Sequence, residues 1–193
     1  MKIVRASLLF LFVLAASVDV AFAQDDPAFA VMAGFNHSYF ATSPSGETNA
    51  KEGVLIGAFA VLRRDKALKL QPEIQFSQRR VEVIYGGQPT TYATNYVNLS
   101  FLLRTKMFKG IYSTTGPQFS IPVRASLKVS GATADIKDNI ADDFSLVVGF
   151  GRQFGRIGIE GRWDSGLKQV EEIPLGGFVK RNRAITFIGI IGL

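Results

Sequence analysis

The chain has 193 residues, 47% hydrophobic and 20% charged, with a net charge of +6, one histidine and no cysteine. The length predicts one domain, and the missing cysteines exclude a disulfide scaffold, a thiolate zinc site and a cysteine nucleophile. Nineteen glycines and 16 phenylalanines against 7 prolines point to a β-rich chain.

Residues 1–23 read as a secretory signal peptide, with 24–193 as the mature domain. Lys2 and Arg5 supply a positive start, residues 7–17 an apolar core, and Ala21-Phe22-Ala23 a small-x-small cleavage pattern. A transmembrane helix needs roughly 20 apolar residues, and Asp19 interrupts this run. Cleavage after Ala23 leaves 170 residues and a net charge of +5. An exported chain without cysteine suits a bacterial periplasm or outer membrane better than a disulfide-stapled secreted domain.

No part of the mature chain carries a sustained 3.6-residue apolar stripe, whereas period-2 alternation recurs throughout. The first two alternating segments, at about 28–40 and 53–63, are weak. From Leu68 to Arg80 the even positions are Leu68, Leu70, Pro72, Ile74 and Phe76, and the odd ones are Lys69, Gln71, Glu73, Gln75, Ser77 and Arg79. Next, Val97, Leu99, Phe101, Leu103 and Met107 oppose Asn98, Ser100, Arg104 and Lys106. Weaker alternation follows at 111–125 and 143–153. Ile157, Ile159 and Trp163 then oppose Arg156, Glu160, Arg162 and Asp164, and the chain closes on Ile185, Phe187, Ile191 and Leu193. These are eight predicted strands, most of them 10–13 residues long. A tilted strand crosses a bilayer with roughly 9–11 residues, while globular strands have a mode of about 5–6.

The connections alternate as well. Arg64 to Ala67, Lys109-Gly110 and Phe154-Gly155 are tight links. The segments 41–52, 82–92, 126–142 and 167–182 read as long polar loops. Short turns on one side and long loops on the other are the rhythm of an outer-membrane barrel whose short turns face the periplasm. The pattern predicts an all-β, eight-stranded antiparallel up-and-down transmembrane β-barrel. Alternation alone does not say which face points outward. Two features favour apolar side chains on the outside. The polar faces carry a mixed charge set suited to a narrow filled lumen. The aromatics Tyr39, Phe40, Tyr85, Tyr92, Tyr96, Phe108, Tyr112, Phe154 and Trp163 fall near strand ends, where an interfacial girdle is expected.

The run LKLQPEIQFSQRRVEV (68–83) resembles the third-strand motif of the PorT-like, or outer membrane protein beta-barrel domain, family. Residues 96–123 resemble that family's following hairpin, with Tyr112 to Pro117 in the place of its Tyr-x-x-Gly-Pro element and one residue longer between Tyr and Gly, and 143–167 and 183–193 extend the match. The resemblance implies a barrel but no particular chemistry. It also implies insertion by the barrel-assembly machinery, for which Leu193 departs from the usual terminal aromatic.

The polar-face residues Glu73, Arg104, Gln118, Arg124, Glu160 and Arg162 are the leading constellation, expected as a structural network that fills the lumen by pairing charges. No catalytic, cofactor-binding or metal-binding residue is predicted. His37 and Ser38 are adjacent, so they point to opposite faces of a strand and cannot form a nucleophile–base pair. The cluster Asp135, Asp138, Asp142 and Asp143 offers hard oxygen ligands at a spacing that matches no EF-hand loop. A solvated loop is the simpler reading. Expected partners are outer-membrane lipid and lipopolysaccharide, the latter through basic residues on the outer side such as Lys180, Arg181 and Arg183, whereas Arg63, Arg64 and Lys66 sit at a predicted periplasmic turn. Nucleic acid is not expected, and the barrel is expected to be a monomer. The favoured function is a non-enzymatic structural or loop-mediated interaction role. The rivals are a narrow porin-like channel, a lipid-modifying outer-membrane enzyme and a soluble ligand-binding barrel.

Overall fold

A computed structural model describes residues 26–43, 48–63, 67–85, 88–129, 132–170 and 179–193. The expected signal peptide, Arg64, Lys66 and most of the last long loop lie outside the described residues. Nine strands run in chain order: β1 Phe29–Ser43, β2 Thr48–Ala60, β3 Leu68–Tyr85, β4 Gln88–Lys106, β5 Ile111–Val129, β6 Ala132–Asp135, β7 Asp143–Phe154, β8 Ile157–Gly166 and β9 Val179–Gly192. All pairings are antiparallel. They follow the order β4-β3-β2-β1-β9-β8-β7-β5, and β4 pairs with β5, so eight strands close a ring. The seam joins β1 to β9 from Ala30↔Gly192 to Ser43↔Val179. The short β6 is paired with the upper end of β5.

The alternation sorts the side chains as expected for lipid contact. Phe29, Val31, Phe35, Val54, Ile56, Ile74, Phe101, Leu146, Phe150, Ile185 and Ile191 are exposed on the outer wall. Lys69, Gln71, Glu73, Gln75, Asn98, Arg104, Gln118, Glu160, Arg162 and Asp164 are buried inside. This inverted arrangement would be costly in water, where large contiguous apolar patches are rare. It is the arrangement of a membrane barrel.

Two of the three predicted tight turns match the sequence reading in place, and the third, Arg64 to Ala67, lies largely outside the described residues. At the β4–β5 turn Lys109 and Gly110 both have positive φ, 47° and 76°, and the Ile111 amide donates to the Phe108 carbonyl at 2.9 Å. Two positive-φ central residues define a type I′ hairpin. At the β7–β8 turn only Gly155 is positive, at 62°.

Two loop expectations are corrected. Residues 41–52 and 82–92 are mostly strand: β1 runs to Ser43, β2 begins at Thr48, and β3 and β4 leave only residues 86–87 between them. The Val, Thr and Tyr alternation through 81–85 and 90–96 sustains pairing beyond the Gly and Pro residues that suggested a loop. β3, β4 and β5 reach 18, 19 and 19 residues. A crossing needs only about 9–11, so this side of the wall projects beyond the apolar belt.

Candidate functional site: a polar lumen network

The network is built from inward positions of β3, β4, β5 and β8. Arg162 on β8 donates through Nη1 and Nη2 to the two carboxylate oxygens of Glu73 on β3, at 2.6 and 2.7 Å. Its Nε donates to Glu160 at 2.8 Å. Glu160 also accepts from the hydroxyls of Thr114 and Tyr112, at 2.5 and 3.1 Å. Gln71 Nε2 donates to Glu73, and Arg104 Nη1 donates to Gln71 at 3.1 Å. The Arg104 guanidinium carbon lies 3.3 Å from the centroid of the Tyr112 ring, a cation–π contact inside a desolvated site. Gln118 links to Gln75 and Ser100 through its carbonyl oxygen and to Ser120 and Ser145 through its amide.

Tyr112 can lie flat because the facing wall has no side chain. A Cβ at Gly151 would stand 2.4 Å from the Tyr112 ring, and one at Gly149 would stand 2.7 Å from a Glu160 oxygen.

A segment before β1 completes the network at the short-turn end. Asp26 is buried and pairs with both Lys69 and Arg104, the latter at 2.8 Å. Burial opposes its charge, but Arg104 and Lys69 outweigh that and hold the carboxyl below its ordinary value of 3.8. Towards the loop end a second polar group forms. Arg79 lies over Tyr96, Asp164 accepts from Thr186, and Asn182 donates to Asp143 and to the Tyr96 hydroxyl.

Apolar layers flank these groups. At the short-turn end Ala30, Met32, Leu55, Phe59, Val61, Ile188 and Ile190 pack on one side of the lumen. At the loop end Phe40, Val81, Val83, Tyr92, Tyr96 and Ala125 receive Ile140 and Val170 from two different connections. Those connections are bonded to each other, the Ala141 amide donating to the Val170 carbonyl at 2.8 Å. Among the described residues, the polar interior retains a cavity of about 10 Å³ between Asn36, Ser77, Arg79, Asn98, Arg162 and Asp164. That is room for a single water.

Five of the six expected lumen residues, Glu73, Arg104, Gln118, Glu160 and Arg162, are brought together. Arg124 is the exception and corrects the sequence reading. A register shift pairs Asn95 with Arg124 but Tyr96 with Pro122, and this bulge turns Arg124 to the exposed outer face. The aromatic girdle is also corrected. Phe40, Tyr92, Tyr96 and Tyr112 are buried in the lumen, while Trp163 and Phe108 are exposed; the Tyr85 side chain lies outside the described residues. Asp26 and the ring-stacking role of Tyr112 went unread. The inward parity of Tyr112 with Thr114 and Gln118 was the available signal. His37 is exposed on the outer face opposite Glu52, with Ser38 buried on the inner face. Asp135, Asp138 and Asp142 are exposed while Asp143 points inward, so the acidic cluster does not converge.

The model of the outer membrane protein beta-barrel domain family matches residues 22–172. The chain belongs to that family. As an outer membrane β-barrel domain it is a bacterial outer-membrane protein, in agreement with its lipid-facing outer wall. Among solved structures it is similar to Neisserial surface protein A, with a TM-score of 0.61 at 12% identity over 86% of this chain and 97% of that one. It is also similar to Ail, the attachment invasion locus protein of Yersinia pestis, with a TM-score of 0.46 at 12% identity over 86% and 98% of the two chains. OprG from Pseudomonas aeruginosa follows with a TM-score of 0.41 at 10% identity over 89% and 97%. At these identities the likeness to Neisserial surface protein A is one of fold. No curated protein sequence matches the chain.

Proposed function

We propose that this outer membrane β-barrel domain is a sealed, non-enzymatic platform whose work is done at its loop end. The observation that supports this reading is the Arg162–Glu73 pair lying across a lumen whose loop end is covered by Ile140 and Val170. The polar cavity between Arg79, Asn98 and Asp164, at about 10 Å³, is too small for a substrate, and the paired charges beside it stand in the way of an ion. In this reading residues 1–23 direct export and the barrel-assembly machinery inserts the chain as a monomer. The short turns face the periplasm, the outer wall contacts lipid and lipopolysaccharide, and nucleic acid is not a partner. Gln71-Pro72-Glu73 and Gly116-Pro117 support a PorT-like affiliation within the family.

Single-channel recording of the folded full chain in planar bilayers tests the seal. A silent bilayer at protein levels that insert demonstrably is the expected result. Ion-selective steps that change with Glu160→Gln would replace the platform with a narrow channel.

A further inference from the structure

The projecting wall of β3, β4 and β5 carries a charge pattern that the lumen does not use. Above the outward apolar residues Phe76, Val97, Ile121 and Val123, the outer faces of these strands turn polar and basic. Arg80 on β3 pairs in register with Ala93, and Ala93 with Ser126 on β5. Two residues nearer the belt, Arg124 stands opposite Asn95; two residues further out, Lys128 stands opposite Thr91. Arg80, Arg124 and Lys128 are all exposed. With strands about 4.8 Å apart and about 3.4 Å per residue, their Cα atoms form a triangle of roughly 12–14 Å sides. Side chains of this length are long enough to reach a common anion over Ala93, Ser126 and Thr91, which are too small to block it.

Four further features bear on the triangle. The bulge that expels Arg124 from the lumen is what places it here, and bulges re-aim side chains in this way. Of the acids at its borders, Glu82 pairs with Lys51 at 3.1 Å and accepts from Asn49, while Asp135, in register with Ser126 on the side away from Arg80, accepts from the Lys137 amide. Among the described residues, none of the three cations has an ion-pair partner. The apolar wall that runs down from the triangle supplies a track for acyl chains.

We propose that Arg80, Arg124 and Lys128 form a headgroup seat for a phosphorylated glycolipid of the outer leaflet. The phosphate lies over Ala93 and Ser126, and the acyl chains descend along Phe76, Val97 and Ile121. This proposal rests on the outer-membrane placement with the long-strand side facing outward. Arg is suited to the role because its planar fork recognises phosphate in a bidentate manner.

The test uses the folded full chain in detergent micelles and native mass spectrometry, with bisphosphorylated lipid A as the probe. Its dephosphorylated form, phosphatidylethanolamine and inorganic phosphate are the comparisons. Wild type is expected to retain lipid A in preference to the first two, and millimolar inorganic phosphate is expected not to displace it. The triple variant Arg80→Gln/Arg124→Gln/Lys128→Gln is expected to lose about a hundredfold in affinity, at roughly fivefold per cation. Lys109→Gln, at the opposite short-turn end, is expected to bind as wild type does. Equal affinity of the triple variant and wild type overturns the seat, and displacement by inorganic phosphate overturns its assignment to a lipid. Should the triple variant not fold, Arg124→Gln alone decides, with a loss of about fivefold expected. Failure of wild type to insert into phospholipid vesicles would instead overturn the membrane placement. Insertion without preference for lipid A removes only the seat.

Discussion

Arg162 and Glu73 are joined by two parallel hydrogen bonds across the full width of the barrel. β8 and β3 stand four places apart in either direction around the eight-membered ring, so this pair is a strut along a diameter. Removing one partner strands a charge in the lumen, which costs about 3–5 kcal/mol. Glu73→Leu and Arg162→Met are each expected to destabilise by that order. The double variant Glu73→Leu/Arg162→Met is expected to recover only the share due to Glu73, because Glu160 then keeps only its hydroxyl donors. Denaturant unfolding in micelles, followed by tryptophan fluorescence, measures the cycle.

Asp26 gives a pH-dependent prediction. Its folded value lies below 3.8, so its contribution is fully present above that value and is lost as pH falls through the folded one. Asp26→Asn is expected to cost about 3 kcal/mol at neutral pH, because Lys69 and Arg104 lose their shared acid. The gap between wild type and variant should stay constant from pH 7 to about 5 and close below 3.8. A gap that narrows between pH 7 and 5 would mean that another group carries the dependence. Unfolding midpoints across that range supply the measurement.

The β4–β5 turn offers a gain. Lys109 holds φ at 47° without being glycine, and Asn-Gly is the preferred pair for this turn type. Lys109→Asn is expected to stabilise by about 0.5 kcal/mol with no change in the folded spectrum. A loss of stability would mean that the lysine side chain has a partner worth more than the turn preference.

The Tyr112 ring sets the tolerance of β7. Gly151→Val places methyl groups where the ring lies and is expected to cost at least about 2 kcal/mol. Pairing it with Tyr112→Ala should relieve part of that cost, even though the ring's own contacts are gone. The folded fraction on an unheated gel reports both variants.

Much of the architecture was legible because an alternating wall writes its period directly into the chain. Leu68 to Arg80 shows this best, since each odd position from Lys69 to Arg79 is buried and polar. The failures have local causes. Arg124 shares even parity with Gln118, but one extra residue at Val123 reverses the face, and no residue type marks that bulge. The tyrosines were assigned by nearness to strand ends, whereas Tyr92, Tyr96 and Tyr112 keep the parity of their buried polar neighbours. Asp26 lies outside any repeat, and only the three-dimensional path of the segment before β1 brings it to Arg104. The loop lengths failed around Pro89, which pairs with Ile84 within the ladder and does not end it.

The seam between β1 and β9 has a kinetic consequence. Its partners are separated by nearly the whole domain, and contacts of that span are the slowest to form. No shorter piece of the chain can complete the ring, so it stays an open ribbon with two bare edges until the last strand arrives. Bare edges recruit other strands. The hazard for this protein is therefore concentrated in the interval before closure, and substitutions that delay the meeting of Ala30 with Gly192 should show first as aggregation, ahead of any loss in the finished barrel's stability.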